Sequence, residues 1–352
     1  MAVRNTESYV TGAVNTAAGS VPVVATSLSR GDRIGSWKAR WGMGRMSYTI
    51  PPGLYATGAA TAESPVLVTA NYKMSFDRIR VALAGVDAWI LVLDTKGINV
   101  WCAAGKGTFG TDELIHQISE THLSEVVSHR TVLVPQLGAV GVSAAAVRKG
   151  SGFRVAFGPV RAEDLPEFLG AGQKATPEMR RVRFPMWERV VLAPVELVMG
   201  AKYAALIAAA LVILSGLGPG FYAMDRIFHV GLATGGFVIL AFLASSILTP
   251  ALLPWLPGRA FALKGTWIGI GVATLAWWVT RDAPGLTVTL PGTISWFLLL
   301  PALSSFIAMN FTGASTYTSL SGVYKEMRLA VPLQIAGAVV GLGLWVTARF
   351  VA

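Results

Sequence analysis

The sequence predicts an α/β domain with a Rossmann-like parallel sheet, followed by an all-α domain of five transmembrane helices. Two observations carry this reading. Residues 1–189 hold 21 of the 29 Lys+Arg and 15 of the 19 Asp+Glu, whereas the other 163 residues hold only 8 basic and 4 acidic side chains. Ahead of that boundary, short apolar runs alternate with helix-period segments from Gly53 onward, as parallel strands joined by crossover helices do.

Residues 1–29, rich in Ser, Thr, Ala and Gly and without sustained periodicity, read as a disordered tail. Between Arg30 and Met46, Arg33, Lys38, Arg40 and Arg45 are interleaved with Trp37 and Trp41. The run is short and no nucleic-acid motif accompanies it, so it reads as a helix or arm packed on the domain, with no nucleic-acid partner. The α/β domain is expected over 30–172, with buried strands at 66–69, 88–93, 131–134 and 153–157. Helices are expected at 76–83, 112–119, 143–148 and 162–169. Such a sheet binds ligands beyond the carboxyl ends of its strands, which here are 69–75, 94–95, 135–141 and 158–162.

A basic amphipathic linker is expected over 173–201, where Arg180, Arg181, Arg183 and Arg189 alternate with Val182, Phe184, Met186 and Trp187. Such a segment is attracted to anionic membrane lipid and also sets topology. The membrane domain then occupies 202–352, with spans at 203–223, 228–250, 262–280, 291–311 and 331–351. Each matches the roughly 20 apolar residues a crossing needs. In the third, the shortest, Lys264 and Arg281 are expected to snorkel to the two interfaces. Arg180, Arg181, Arg183, Arg189, Arg259, Lys264, Lys325 and Arg328 fall on one side, against Arg226, Arg281 and Arg349 on the other. That bias predicts a multi-pass protein of the cytoplasmic (inner) membrane with its first domain in the cytoplasm. No signal-peptide pattern opens the chain. The polar run Asn310, Thr312, Ser315, Thr316, Tyr317, Thr318 and Ser319 reads as cap and loop hydrogen bonding.

Cys102 is the only cysteine. It rules out an internal disulfide and cannot hold an iron–sulfur cluster, which normally takes four thiolates. Flanked by Asn99, Val100 and Trp101 and followed by Ala103, Ala104, Gly105 and Lys106, its sulfur is free of bulky neighbours on one side and can meet a large flat ligand as a soft metal donor. Gly105-Lys106-Gly107-Thr108 is not a phosphate loop, because Val100 stands at the leading glycine position and Gly107 follows the lysine. G-x-S-x-G and H-E-x-x-H are absent, and His116, His122 and His129 lack common zinc spacing. Nucleotide-dependent and hydrolytic chemistry have little support.

The stretches 99–108, 135–142, 157–162 and 176–181, with Asn-Val-Trp-Cys-Ala-Ala-Gly-Lys the most specific, resemble the corrinoid-binding domain of the mercury-methylating corrinoid proteins. The spans and the segment 309–319 are similar to that family too. A related family, the large subunit of the corrinoid iron–sulfur protein of acetyl-CoA metabolism, has threonine in place of Cys102, carries cluster cysteines and lacks the membrane domain. The Asp-x-His-x-x-Gly motif that gives histidine to cobalt in other corrinoid proteins is absent.

The resemblance implies a base-off, cobalamin-type corrinoid held between the sheet's carboxyl edge and a cap helix beginning near Cys102, whose thiolate is the lower axial ligand of cobalt. It implies cofactor contacts at Thr69, Ser75, Asn99, Val100, Trp101, Ala103, Ala104, Gly105, Lys106, Gln136, Leu137, Gly138, Gly158 and Ala162. The activity implied is anaerobic methyl transfer to Hg(II), forming methylmercury. Its implied partners are a methyl donor, either a protein or methyltetrahydrofolate, and a dicluster [4Fe-4S] ferredoxin as electron donor. The other expectations are a membrane-anchored methyl carrier of acetyl-CoA-type one-carbon metabolism and a non-catalytic corrinoid sensor.

Overall fold

The computed structural model describes residues 7–282, 289–314 and 320–351. It divides into two compact units, one of Met1–Ala39 with Met43–Val182 and one of Arg40–Gly42 with Arg183–Ala352.

The first unit opens with the antiparallel strands β1 (Val10–Thr16) and β2 (Gly19–Val24), then α1 (Arg30–Arg40) and β3 (Gly53–Thr57). Next come β4 (Val66–Ala70), α2 (Lys73–Ala82), β5 (Ala88–Leu93), α3 (Val100–Lys106), α4 (Thr111–Glu120) and α5 (Leu123–Val126). The unit's last elements are β6 (Thr131–Val134), α6 (Ala144–Ser151), β7 (Arg154–Phe157) and α7 (Leu165–Gly170). The sheet order is β1-β2-β3-β5-β4-β6-β7. The four expected strands are β4 to β7, and they are mutually parallel. The sheet as a whole is mixed, because β3 joins β5 antiparallel.

Period-two alternation divides the core. Trp89, Leu91 and Leu93 of β5 face one cluster with Val68, Ala103, Leu114 and Val147, which belong to β4, α3, α4 and α6. Ala88, Ile90 and Val92 face the other, with Phe76, Ile79 and Phe168 of α2 and α7. The sheet is thus buried on both faces between helical layers, which is why its central strands read as continuous apolar runs.

The expected disordered tail is corrected: residues 10–24 form the β1–β2 hairpin. Its signal is weak in sequence because β1 is an edge strand with an exposed polar outer side. It is anchored by tertiary contact, with Tyr9 and Val24 buried against Tyr55 and Phe76. Residues 1–6 lie outside the described residues.

Four buried or nearly buried charges tie α1 to α2. Asp32 accepts from Lys73 Nζ at 2.5 Å and from Arg80 Nη2 at 2.9 Å, while Asp77 accepts from the same two cations at 2.9 and 2.8 Å. The fully buried Arg80 also donates to the carbonyls of Ala25 and Ser27, fixing the chain between β2 and α1. Burial pushes the Asp32 carboxyl up, but hydrogen bonds from Lys73 and Ser29 outweigh that effect and hold it well below the usual carboxylate range.

The second unit contains the short α8 (Met186–Val190), α9 (Ala193–Leu214), the two-residue strands β8 (Leu217–Gly218) and β9 (Phe221–Tyr222), and α10 (Met224–Arg226). Four further helices complete it: α11 (Leu232–Leu252), α12 (Phe261–Thr280), α13 (Leu290–Met309) and α14 (Leu320–Val351). Among the described residues, four stretches are long and apolar enough to cross a membrane: Met186–Leu214, Met224–Leu252, Leu290–Thr312 and Ser321–Val351.

The expectation of five spans is corrected on that measure. The third expected span exists as the 20-residue α12, but Lys264 and its Gly, Thr and Trp content dilute its hydropathy. Lys264 does not snorkel; it is buried and donates to the carbonyls of Leu253 and Leu256 at 2.7 and 2.6 Å. The expected linker is helical from Ala193, and Arg189 is buried, donating to the carbonyls of Phe184, Pro250 and Ala251. It satisfies carbonyls at the end of α11 that no helical N–H can reach. Within the polar run, residues 315–319 lie outside the described residues, and Thr312 donates to the Met309 carbonyl at 2.7 Å.

Arg80→Met should destabilise the first unit by about 3–5 kcal/mol, because Asp32 and Asp77 then share one cation in a buried site. Amide exchange of β4 and β5 in the full-length protein measures this. Because the Asp32 carboxyl is depressed in the folded state, its contribution is complete above the unfolded value near 4 and is lost as pH falls toward the folded one. Protection in the wild type should therefore fall on acidification below that value, and should fall less in Asp32→Asn.

Candidate functional site: the cysteine helix at the sheet's carboxyl edge

β4 lies between β5 and β6, so the chain winds outward from it in both directions. The crevice at this switch point, beyond the carboxyl ends of the strands, is where a doubly wound sheet receives a ligand. The loops leaving β4, β5 and β6 meet there, and α3 contacts β4 and the turn Gln136–Gly138.

α3 is defined at both ends. Asn99 Oδ1 accepts from the Cys102 backbone N–H at 2.9 Å as the N-cap, and Gly107 closes the helix in the left-handed region at φ 82°. Residues 103–106 are helical, as the good helix formers Ala103 and Ala104 favour. Val100, Ala103 and Ala104 form the buried stripe at i, i+3 and i+4. Trp101 and Cys102 are half-buried, while Gly105 and Lys106 are exposed. The thiol thus lies in the first turn, outside the stripe that meets the core.

Packing beneath α3 leaves no slot. A side chain at Gly141 would collide with the Phe109 carbonyl and the backbone of Ala104, and one at Gly138 would stand 2.5 Å from the Phe109 ring. α3 is seated directly on the sheet edge, and its open side bears Cys102.

Asn71, at the end of β4, was not singled out from the sequence. Its Oδ1 accepts from the backbone N–H groups of Thr95 and Gly97, both at 3.1 Å, and its Nδ2 donates to Asp94 Oδ1 at 3.1 Å. The Thr95 hydroxyl lies 2.8 Å from the same Asn71 oxygen and 2.6 Å from the Ile98 carbonyl, and shares its proton between them. Glu113 of α4 accepts from the Asp94 N–H at 2.8 Å. Lys96 and Gly97 both have positive φ, 57° and 73°, and a Cβ on Gly97 would stand 2.8 Å from the Met46 carbonyl. Only glycine fits there. Burial raises the Asp94 carboxyl, but bonds from Lys96 and Asn71 outweigh it and keep the group below the usual range.

The other expected residues are distributed around the edge. Thr69 is buried in β4, Leu137 packs against the cluster that includes Ala103, and Gly158 continues from β7 with its N–H on the Val134 carbonyl. Gln136 accepts from Arg180 at 3.2 Å. Ser75 lies in the first turn of α2, just past the carboxyl end of β4, and Ala162 follows β7 and packs against the cluster formed with α2 and α7. Among the described residues no three His, Cys, Asp or Glu side chains gather to hold a metal ion. The donor set is one soft sulfur, which suits a metal whose remaining ligands come from a macrocycle.

Asn71→Ala leaves the N–H groups of Thr95 and Gly97 without their acceptor, at a cost of about 1–3 kcal/mol each. The loop into α3 should loosen, and maleimide should label Cys102 several-fold faster than in the wild type. Since there is no second cysteine, the rate reports this site alone. A rate within twofold of wild type would show that the loop holds its path without Asn71.

Residues 45–169 match the family model described as the CO dehydrogenase/acetyl-CoA synthase delta subunit. Acetyl-CoA decarbonylase/synthase complex subunit gamma of Methanopyrus kandleri is 34% identical over 122 residues, 34% of this chain and 26% of the relative. The subunit gamma of Archaeoglobus fulgidus is 30% identical over 118 residues, covering 33% and 25%. That of Methanosarcina acetivorans is 32% identical over 99 residues, covering 27% and 21%. The chain spans about a quarter of the length of these curated relatives. The family match runs from just before β3 into α7 and leaves out the β1–β2 hairpin and the helical unit, so the similarity to the CO dehydrogenase/acetyl-CoA synthase delta subunit is confined to the domain over 45–169.

Proposed function

We propose that this chain is a membrane-anchored corrinoid methyl-transfer protein in which the Cys102 thiolate is the lower axial ligand of cobalt. The observation that carries the reading is a half-buried, solitary thiol in the first turn of a capped helix, at the switch point of a domain that matches this family model. A bound corrinoid supplies the methyl transfer itself, through its cobalt. The chain's part is to hold and aim the sulfur. Asn99 fixes the Cys102 backbone, Asn71 and Gly97 fix the loop ahead of it, and Val100, Ala103 and Ala104 seat the helix. Trp101, Gly105 and Lys106 lie outside the buried stripe, with Gln136 and Arg180 at the neighbouring edge. With a corrinoid bound, the Cys102 thiolate would be a stronger donor to its metal than a hydroxyl or water would be.

Two acceptors follow from different observations. The relatives are subunits of acetyl-CoA decarbonylase/synthase complexes, which supports a methyl carrier of one-carbon metabolism acting with further subunits. For Hg(II) as acceptor, with methylmercury as product, the support is the resemblance carried by the Cys102 motif and a soft thiolate at that position. In either case the chain's one cysteine leaves electron delivery to a separate cluster protein of the ferredoxin type.

Full-length protein loaded anaerobically with corrinoid tests the ligand. Cys102→Ala should change the visible spectrum of the oxidised cofactor and reduce methylmercury formation at least a hundredfold; an unchanged spectrum overturns the axial role. Cys102→Thr separates the acceptors: it should keep the corrinoid and lose Hg(II) methylation, and wild-type activity in that variant would favour the carrier. Multiple turnover should also require an added ferredoxin, and Arg180→Glu should raise its half-saturating concentration most at low salt, since screening removes the attraction.

A further inference from the structure

We infer that a cleft at one end of the helical unit binds a phosphate group, carried by the headgroup of an anionic membrane lipid. The cleft is open to one side and small, about 50 Å³, and Thr234 and Phe237 of α11, Trp277 and Thr280 of α12, Trp296 of α13 and Arg349 of α14 are among its lining residues.

Arg349 is the charged residue among those lining the cleft, and it and two residues outside that lining, Trp345 and Arg226, carry donors with no acceptor. Arg349 Nε is buried without a hydrogen-bond partner, and its guanidinium lies 5.1 Å from the centre of the Trp345 ring. Trp345 Nε1 and Arg226 Nη2 are likewise buried and unpartnered. Arg226 is held in place by its other nitrogens, which donate to the carbonyls of Gly216 and Pro219 at 3.0 Å each. The two arginines are neighbours: a Cβ on Gly218 would stand 3.1 Å from Arg226 Cζ and 2.9 Å from the Arg349 carbonyl.

Carboxylates that could neutralise this pair are engaged elsewhere. Asp225 pairs with His229 at 3.1 Å and Asp282 with Arg281 at 2.9 Å. Glu196 accepts from Asn310, and Glu326 from the Ala262 N–H. Two neighbouring guanidinium groups with unused N–H donors and no anion are costly to bury. An oxyanion with several acceptor oxygens removes both the repulsion and the unmet donors, and a phosphate has that form.

The apolar side indicates the source of the phosphate. Phe237 and Trp296 meet edge to face at 5.8 Å, and Trp277 adds a third aromatic wall. Such walls fit glycerol and acyl carbons better than a free ion. The cleft also lies where α11 and α13 begin and α12 and α14 end. If these helices cross a membrane, that is the level of the headgroups.

The test uses full-length protein in an uncharged detergent, titrated by native mass spectrometry with phosphatidylglycerol, phosphatidylcholine or inorganic phosphate. Phosphatidylglycerol should bind the wild type tightly, and Arg349→Gln should weaken it about tenfold or more. Arg349→Lys, which keeps the charge, should retain part of the affinity and guards against misfolding of the glutamine variant. Arg259→Gln, which removes an exposed cation ahead of α12 at the opposite end of that helix, should change nothing. Equal binding to wild type and Arg349→Gln overturns the site. Competition by millimolar inorganic phosphate at full effect would overturn the lipid as its source, and equal affinity for phosphatidylcholine would overturn the requirement for net negative charge.

Discussion

One amide side chain sets the path of the chain into the cysteine helix. Asn71 stands at the end of the central strand β4 and gathers Asp94, Thr95 and Gly97 around a single carboxamide. A loop carrying two consecutive left-handed residues is costly on its own. It persists here because hydrogen bonds from three directions, with Glu113 of α4 and the Met46 carbonyl on its flanks, leave it no alternative path. The Asn99 cap then starts α3 at Val100. Each later property of the thiol, including its place in the first turn and its half-burial, follows from that starting point.

The seat under α3 is built from small residues for a related reason. Ala103, Ala104, Gly138 and Gly141 bring the helix onto the sheet edge at backbone distance, with Phe109 filling the space between. The helix has seven residues, too few to be stable in isolation, so its order comes from this contact. The same tightness puts Cys102 on the open side.

The two units solve the problem of buried charge differently. In the first, Asp32, Lys73, Asp77 and Arg80 neutralise one another, and the remaining donors of Arg80 find backbone carbonyls. In the second, Arg189 and Lys264 have no carboxylate partner among the bonds described and use helix-end carbonyls instead. Arg226 and Arg349 keep unused donors even so. A sequence reading that assigns every cation near a span to topology sees none of these differences, because partner and depth are properties of packing.

The sequence by itself determined the elements whose signal is local. The runs at 66–69, 88–93, 131–134 and 153–157 became parallel strands because each is apolar throughout, as burial on both faces requires. The sequence singled out Cys102 as the one soft donor, and the structure adds that Asn99 and Gly107 cap a short helix around it. Tertiary structure alone decided the rest. The β1–β2 hairpin gains its order from Tyr9 and Val24 entering a distant core, β3 is held by pairing with β5, and α12 keeps Lys264 because carbonyls 8 and 11 residues away accept its proton donors. Asn71 lies more than 20 residues before the loop it organises, and its four contacts there exist only once β4 and β5 are paired side by side. No local pattern marks an asparagine for that work, since the information lies in the register between the strands.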